Sequence, residues 1–250
     1  MSAPYRPVAL DHSPQLLAMS YRLRYQSFCL ERLFFSKDDY PSQLESDAFD
    51  RTSAHVGVVN AQDELVGTAR VVRPSRAGLP LLRHCTLFPH VTALADPSNT
   101  VVELSRVCLN LRWSHRPTDG PIAPPEGPAS ISAPRSTTTE SGHGSNDALA
   151  ALIKGIYHAT KRMHGTHWII AIEKALRRRI TRYGLPFRVA GPEADYYGPV
   201  APYVMSLAEL DDVIRSRKYP ALDDFLVGLE PHYWPTPLRQ LSAPGLEASL

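Results

Sequence analysis

The sequence predicts an α/β domain with a mixed central sheet flanked by helices. Three observations support this class. Helical and strand patterns alternate along the chain, the strand patterns are short and rich in β-branched residues, and 43% of the 250 residues are hydrophobic. This content is enough for a core shared by helices and a sheet. The order of elements is helix, hairpin, strand, helix, strand, helix and two strands, which is typical of an α/β domain with a mixed sheet.

The first helix is predicted over residues 14–35. Leu17, Tyr21, Arg24 and Phe28 fall on one stripe at spacings of four, three and four residues, as on an amphipathic helix. Arg24 therefore lies on the apolar side of this helix.

Three β-rich runs follow a polar, turn-rich segment. AHVGVVN and ELVGTARVVRP, joined by AQD, predict a hairpin whose second strand carries Arg70. VVELSRVCLN, residues 101–110, predicts a buried strand that contains Glu103 and Arg106. Side chains three residues apart point to opposite faces of a regular strand. Buried charges without partners are costly, so both residues need a partner or a function.

The composition changes sharply after these strands. Residues 117–146 include 19 Pro, Gly, Ser or Thr residues and show no apolar period, which predicts a flexible insertion. Beyond it we predict an amphipathic helix capped by Asn146, the strand THWIIAIE, the basic helix KALRRRITRYG, the strands LPFRVAG and VAPYVMSL, and a helix over 206–217. We therefore expect one domain over residues 1–217 and an irregular tail over 218–250.

The composition also excludes some classes of protein. No apolar stretch reaches the roughly 20 residues that cross a bilayer, and the N-terminus lacks a signal-peptide pattern, so we expect a cytoplasmic location. Cys29, Cys85 and Cys108 form no CxxC spacing, which argues against a disulfide framework or a zinc site. A net charge of +2 does not by itself indicate nucleic acid binding.

Six charged residues in or beside apolar runs form a candidate site. They are Arg24, Arg70, Arg106, Asp47, Asp50 and Glu103. One interpretation is a salt-bridge network that fixes the first helix and the loop after it against the sheet. The other is the wall of an active site. The two interpretations are compatible, because a buried network also holds a catalytic carboxylate rigid.

Three other groups carry weaker signals. His164 and His167 lie three residues apart, but no further ligand stands at zinc spacing. Cys108 has no adjacent base, so a core thiol is favoured over an acyl-carrying nucleophile. The basic run within 177–182 suits a solvated helix face, an acidic protein partner or phosphate.

Four motifs resemble a known family. RYQSFCLER, ESDAFD, VGTARVV and ELSR, in this order and spacing, resemble the autoinducer synthases, which make acyl-homoserine lactones, and the related long-chain N-acyl amino acid synthases. The closest likeness is to acyltransferases associated with PEP-CTERM and exosortase systems, and it covers roughly residues 15–112. The resemblance implies a GNAT-like acyltransferase fold, an acyl thioester donor on acyl carrier protein and an amine acceptor.

The resemblance also implies how the site is built. A bulge in the strand after the hairpin brings Glu103 and Arg106 together and frees backbone N–H groups near Val107. The substrate-binding residues that it implies are Arg24, Phe28, Phe34, Asp47, Asp50 and Arg70. Phe34 and Phe35 stand where the lactone-making enzymes tend to carry tryptophan, which argues against S-adenosylmethionine as the acceptor.

We therefore expect an N-acyltransferase that moves a long-chain fatty acyl group from acyl carrier protein to the amine of an amino acid or related small molecule. Glu103 is expected to accept the amine proton, and N–H groups near Val107 to stabilise the oxyanion. No metal and no bound cofactor are expected, because the acyl group arrives on the phosphopantetheine of the carrier. The carrier is expected to dock on Arg112, Arg116, Arg177, Arg178 and Arg179.

Three alternatives stay open. An autoinducer synthase would use S-adenosylmethionine and release methylthioadenosine. A non-catalytic module on the same fold would bind the acyl carrier without turnover. A nucleic acid binder that uses the arginine run is disfavoured, because only Tyr183 supplies an aromatic ring within that run.

Overall fold

The computed structural model describes residues 4–95, 100–110 and 141–235. Its strands are β1 Tyr5–Ala9, β2 Ser53–Asn60, β3 Leu65–Val72, β4 Val101–Leu109, β5 His167–Ile172, β6 Arg188–Val189, β7 Ala194–Asp195 and β8 Pro199–Ser206. Within these ranges they form a sheet of order β1-β2-β3-β4-β5-β8-β6, with β7 paired to β8. β4 and β5 are parallel, and the other described pairs are antiparallel. The predicted α/β fold with a mixed sheet is confirmed.

Helices cover both faces of this sheet. They are α1 Pro14–Tyr25, α2 Pro89–Thr92, α3 Ser141–Arg162, α4 Lys174–Thr181 and α5 Leu207–Ser216. α3 packs against β1, β2 and β3, whereas α1 contacts β3 and β4 from the opposite face. In the part of the chain that the structure describes, we find no helix whose length and apolar character would let it cross a bilayer.

The first helix is shorter than predicted and changes type before it ends. The hydroxyl of Ser13 caps α1 by accepting a hydrogen bond from the Leu16 N–H. After Tyr25 the chain continues as a π-helical segment, Gln26–Glu31, instead of an α-helix to residue 35. A π turn holds one residue more than an α turn, and such turns are frequent at functional sites. The apolar spacing does not distinguish the two helix types.

Two other differences from the sequence prediction are an additional first strand and an earlier start of α3. β1 was not predicted, because Pro7 interrupts a short run that is otherwise ordinary for a strand. Proline is tolerated there because β1 is an edge strand that pairs only with β2 among the described residues. α3 begins at Ser141, ahead of the predicted Asn146 cap. Residues 117–140 of the predicted insertion lie outside the described residues.

Part of the predicted C-terminal tail packs on the domain. Between residues 218 and 235 the chain forms short 3-10 turns at Pro220–Leu222 and Pro231–Tyr233. Leu222, Phe225 and Leu229 are buried in the same core as the residues of α3. The described part of the tail therefore contributes to the hydrophobic core, while residues 236–250 lie outside the described residues.

β4 and β5 separate after a short contact. They pair only from Val101 to Glu103, opposite residues 167–169, and β5 then continues its pairing with β8. Val102 and Leu104 point into the core that includes α3. Because strand side chains alternate, Glu103 points to the opposite face, at the position where the two strands diverge. The separation leaves a cleft beside the central part of β4.

β4 also contains the bulge that the family resemblance implied. Thr68 pairs with Cys108 and Arg70 pairs with Ser105, so one residue of β3 faces two residues of β4, Arg106 and Val107. Arg106 has a φ of 53°, in the left-handed region that arginine rarely adopts. A bulge of this kind bends the strand and redirects its side chains. The bulge is therefore confirmed, and it explains how two charges three residues apart approach one site.

Gly191 offers a test of the packing between the segment after β6 and the loop before α2. A Cβ at Gly191 would lie 2.0 Å from the Thr86 carbonyl oxygen. The adjacent Phe88 N–H donates to the Ala190 carbonyl at 2.8 Å, so this backbone has little freedom to move. We expect Gly191→Ala to lower the free energy of unfolding by about 1–3 kcal/mol, as overpacking does in other cores. Urea denaturation measures this change.

Gly67→Ala is the matched control. Its Cβ would meet the Leu109 Cδ2 at 2.5 Å, but that atom is the end of a side chain that can rotate away. We expect a smaller loss of stability than for Gly191→Ala. The reverse order of the two variants would contradict the close backbone packing at Gly191.

Candidate active site

The cleft between β4 and β5 is lined by the three predicted catalytic residues, Glu103, Arg106 and Val107. Its cavity of about 240 Å³ is lined by residues 103–107 on one wall and 170–173 on the other. Aromatic side chains from the π segment, the loop after it and the β7–β8 turn complete the lining. The predicted site residues that line it are Glu103, Arg106, Val107, Phe28 and Phe34.

A larger groove of about 1150 Å³ lies on the other side of the molecule, between α3 and the start of β2. Asp11 and His55 line it, but Glu103, Arg106 and Val107 do not. Size alone would favour this groove. We place the candidate active site in the smaller cleft, because only the cleft brings a buried carboxyl and the bulge together.

Glu103 has the properties of an acid–base group. The residue is 3% exposed, and its Oε2 accepts a hydrogen bond of 2.8 Å from the Leu81 backbone N–H. Burial raises the pKa of Glu103 to about 7, against the opposing effects of this hydrogen bond and of Arg70 and Arg106. A carboxyl group with a pKa near 7 can accept and release a proton at neutral pH.

Arg24 connects α1 to the loop before β2. Its Nε donates to Glu45 Oε2 at 2.6 Å, and its two terminal nitrogens bind both oxygens of Asp50 at 2.8 and 3.1 Å. Arg24 and Glu45 are almost fully buried. Asp47 and Asp50 also form a capping box on the 3-10 turn Ala48–Thr52, which orients both carboxylates. Arg24 is thus held by two carboxylates and does not line the cleft.

Arg70 and Arg106 extend this network to β3 and β4. Arg70 Nη1 binds Asp47 at 2.6 Å and Asp50 at 3.0 Å, and its Nε donates to the Ser105 hydroxyl at 3.1 Å. Arg106 binds Glu45 at 3.0 Å and Asp47 at 3.1 Å. The network was predicted to pair three arginines with Asp47, Asp50 and Glu103. Glu45 takes the place of Glu103, which has no ion pair among the described residues.

His55 is a fourth cation of this network. Its Nδ1 lies 2.7 Å from Asp11 Oδ1, and its Nε2 lies 3.1 Å from Asp50 Oδ1. Ionised carboxylates only accept hydrogen bonds, so this position favours the doubly protonated, charged form of the imidazole. Burial alone would lower the pKa of His55, but the hydrogen bonds to Asp11 and Asp50 outweigh it and raise the pKa.

Charge balance explains why Glu103 is easily protonated. The network has four cations, Arg24, Arg70, Arg106 and His55, and four carboxylates, Asp11, Glu45, Asp47 and Asp50. Each arginine beside Glu103 is therefore already neutralised by a closer carboxylate. The remaining field at Glu103 is too weak to offset the loss of hydration, and its neutral form is stabilised.

Aromatic rings form the wall of the cleft opposite Glu103. Phe28 and Phe34 stack at 6.3 Å between centroids, and Tyr197 stacks on Phe34 at 5.7 Å and meets Phe35 edge-on at 5.0 Å. The guanidinium carbon of Arg106 lies 4.7 Å from the Phe35 centroid. These rings give the cleft an apolar surface beside its charged groups, which suits a substrate with both characters.

The predicted docking arginines are only partly described. Arg112 and Arg116 lie outside the described residues. α4 follows β5 directly, and its Leu176 lines the cleft, so this helix borders the site. Arg178 is exposed, whereas Arg177 is half-buried with its guanidinium carbon 5.3 Å from the Tyr203 ring centroid. Arg179 also lies on this helix.

Several site residues were missed by sequence reasoning. Glu45 lies in the stretch SQLESDAFD, where no periodic apolar pattern marks it as buried. Asp11 and His55 are 44 residues apart, and their contact depends on the pairing of β1 with β2. Tyr197 is placed by a turn with two left-handed residues, itself and Gly198. The double tyrosine before a glycine was the only available signal.

Among the described residues, no cluster of three or more His, Cys, Asp or Glu could hold a metal ion. The carboxylates of the network are used by arginines and His55, as given above. Cys29, Cys85 and Cys108 are buried free thiols, and burial raises the pKa of Cys108 to about 12, which disfavours its thiolate.

Comparisons with known proteins agree with this fold. The family model of the acetyltransferase (GNAT) domain matches residues 23–119. Comparison with curated protein sequences gives no match.

Solved structures of similar fold include acyl-transferring enzymes. BjaI, a CoA-dependent acyl-homoserine lactone synthase solved with SAM and isopentyl-CoA, is 15% identical with a TM-score of 0.56, over 90% of this chain and 99% of BjaI. The AHL synthase LasI is 15% identical with a TM-score of 0.50, over 81% and 89%. FeeM, an N-acyl amino acid synthase from uncultured soil microbes, is 13% identical over 83% and 92%, with a TM-score of 0.49. The chain therefore has the GNAT fold, in the form also found in the synthases BjaI and LasI, as the motifs predicted.

Proposed function

We propose that this protein is an N-acyltransferase that moves a long-chain fatty acyl group from acyl carrier protein to the amine of an amino acid or related small molecule. The observation that carries the proposal is Glu103, a buried carboxyl with a pKa of about 7 beside the β4 bulge in an open cleft. The acyl group would arrive as a thioester on the phosphopantetheine of the carrier, in the cytoplasm, and no other cofactor is needed.

The proposed reaction is one aminolysis of a thioester. The acceptor nitrogen attacks the thioester carbonyl, the C–N bond forms, and the C–S bond breaks to release the carrier thiol. Ionised Glu103 accepts the proton that the amine loses, directly or through one water, and the protonated Glu103 then returns that proton to the departing thiolate. The backbone N–H at Val107 would stabilise the tetrahedral oxyanion, because a bulge leaves a residue outside the ladder.

The charged network would support this chemistry without taking part in it. Arg24, Asp50 and Arg70 are buried and mutually bound, so their positions are fixed before substrate arrives. Asp47 binds Arg106, and Arg106 lines the cavity, so the fixed network extends to the wall of the cleft. We therefore propose that the network positions the cleft wall around Phe28 and Phe34 for the acceptor.

An acyl-homoserine lactone synthase that uses S-adenosylmethionine is the second candidate. The fold likeness to BjaI, which was solved with SAM, favours it. Phe34 and Phe35, in place of the tryptophan that the family resemblance implies, argue against it. The choice between acyl carrier protein and coenzyme A as donor belongs to the same question.

Mass spectrometry of lipids from a host that expresses the protein tests the proposal. An N-acyl amino acid or N-acyl amine that is absent from the vector control is the expected product. Acyl-homoserine lactone with methylthioadenosine would support the second candidate instead. Carrier binding without any acylated product would indicate a non-catalytic acyl-carrier-binding module.

Glu103→Gln should lower kcat by about 10²- to 10⁴-fold, because the amide keeps the shape of the side chain but cannot accept a proton. In the wild type, kcat/KM should rise with pH through about 7, as Glu103 ionises, and this limb should be absent in the variant. The titration of the acceptor amine affects both proteins alike. Unchanged turnover, with chemistry limiting the rate, would rule out Glu103 as the base.

Glu103→Gln should increase the stability of the protein at high pH, although it lowers activity. The pKa of Glu103 is raised on folding, so its contribution to stability is fully present at low pH and lost as pH rises through about 7. Glu103→Gln should therefore raise Tm relative to wild type at pH 8 and change it little at pH 4. A lower Tm at pH 8 would indicate that ionised Glu103 anchors the fold.

Reversal of charge on α4 tests the proposed carrier docking. Arg178→Glu with Arg179→Glu should raise KM for acyl carrier protein severalfold and spare kcat, because rim charges act mainly on encounter. The effect should shrink at high salt, and with a small acyl-pantetheine donor. Arg188→Glu, at an exposed position outside the cleft lining, is the control. An equal loss with both donors would exclude docking at α4.

A further inference from the structure

Two exposed charged residues face each other at the mouth of the cleft. Arg32 and Glu173 both line the cavity, and their side chains are 56% and 54% exposed. Arg32 Nη1 lies 3.8 Å from Glu173 Oε1, which is longer than the roughly 2.7–2.9 Å of a hydrogen bond between charged groups. A loose pair in solvent contributes little stability. Arg32 is therefore available to another anion.

Two other arginines of the site, Arg24 and Arg106, are already bound by carboxylates of the protein. Arg24 is bound by Glu45 and Asp50, and Arg106 by Glu45 and Asp47, at 2.6 to 3.1 Å. A substrate carboxylate at either residue would have to displace a carboxylate of the protein. Arg32 and Arg106 are the cations among the described residues that line the cleft, so Arg32 is the one with an exchangeable partner.

Local backbone structure fixes Arg32 on the aromatic wall. Its N–H donates to the Ser27 carbonyl at 3.0 Å and closes the π segment. Leu33 then adopts a φ of 54°, and the Phe34 N–H donates back to the Phe28 carbonyl at 2.8 Å. The Arg32 guanidinium carbon lies 5.7 Å from the Phe34 ring centroid. The π turn thus places a cation at the edge of the apolar surface.

We infer that Arg32 binds the carboxylate of the acceptor. The apolar part of the acceptor then lies against Phe34 and Tyr197, and its amine points toward Glu103. Glu173 is the partner that the substrate carboxylate replaces. This inference rests on the proposed function and narrows the acceptor to molecules with both an amine and a carboxylate. It differs from the sequence prediction, which assigned substrate binding to Arg24 and Arg70.

Competition between amino acids and their amides tests this assignment. A pool of L-amino acids and an equal pool of the corresponding amides are offered together with one acyl-pantetheine thioester, and the acylated products are counted by mass spectrometry. Arg32→Met should lower the acid-to-amide product ratio by about 10- to 100-fold, the range of one hydrogen bond between charged groups. Arg32→Lys should give an intermediate ratio, because it keeps the charge but loses the planar fork.

Glu173→Gln separates this role from a structural latch. If Glu173 competes with the substrate, the variant should keep or raise the acid-to-amide ratio; if the pair merely closes the cleft, both substitutions should act in the same direction. Arg188→Met, at another exposed and paired arginine, should leave the ratio unchanged. The ratio is internal, so a lower folded fraction does not alter it.

Two outcomes overturn the inference in different ways. Wild-type protein that acylates the pools with a ratio insensitive to Arg32→Met would assign the carboxylate to another residue. Wild-type protein that acylates neither pool, with the pantetheine donor or with acyl carrier protein as the donor, would contradict the proposed function itself.

Discussion

The arrangement of the cleft depends on the buried ion pairs between Arg24, Glu45 and Asp50. They hold α1 and the loop before β2 against one face of the sheet, where α1 contacts β3 and the bulged β4. Arg24 is 1% exposed and Glu45 is fully buried, so neither charge retains hydration. Removal of one partner from such a pair typically costs about 3–5 kcal/mol, because the other charge is left buried and unpaired. The π segment at the end of α1 can therefore hold its aromatic rings over the cleft.

The same network determines the protonation of Glu103. With Glu45 in place, each arginine near Glu103 is paired with a carboxylate that lies closer to it than Glu103 does. The four cations and four carboxylates of the network balance, so an ionised Glu103 would add an unpaired negative charge. Burial then raises its pKa to about 7. If Glu103 had occupied the position of Glu45, two arginines would have stabilised its ionised form and made it a poor proton acceptor at neutral pH. Glu45, which sequence reasoning missed, thus determines the protonation of Glu103.

The sequence predicted those features that periodicity and composition encode. Regular apolar patterns mark the hairpin of β2 and β3, the buried β4 and the amphipathic α3. Charged residues inside such patterns are unusual and could be recognised. Glu45 and His55 were not recognisable, because their burial results from contacts between distant segments. The type of helix at Gln26–Glu31 was also hidden, since α and π turns differ by one residue in a short stretch. The bulge at Arg106 required the family resemblance, because no local pattern in VVELSRVCLN predicts it.

Three of the seven non-glycine residues with positive φ in the described part of the chain lie around the same cleft. Leu33, Arg106 and Tyr197 all have φ values between 53° and 57°, a conformation that costs a non-glycine residue roughly 1–2 kcal/mol. Each one redirects the chain at the rim: Leu33 turns Phe34 onto Phe28, Arg106 forms the bulge, and Tyr197 brings its ring to Phe34. Strain of this kind persists only where surrounding contacts determine the conformation, and here the contacts are the ion pairs of Arg106 and the stacked rings. The strained residues at the rim therefore depend on the ion-pair network. The network supplies the stability that allows three unfavourable turns to shape the cleft.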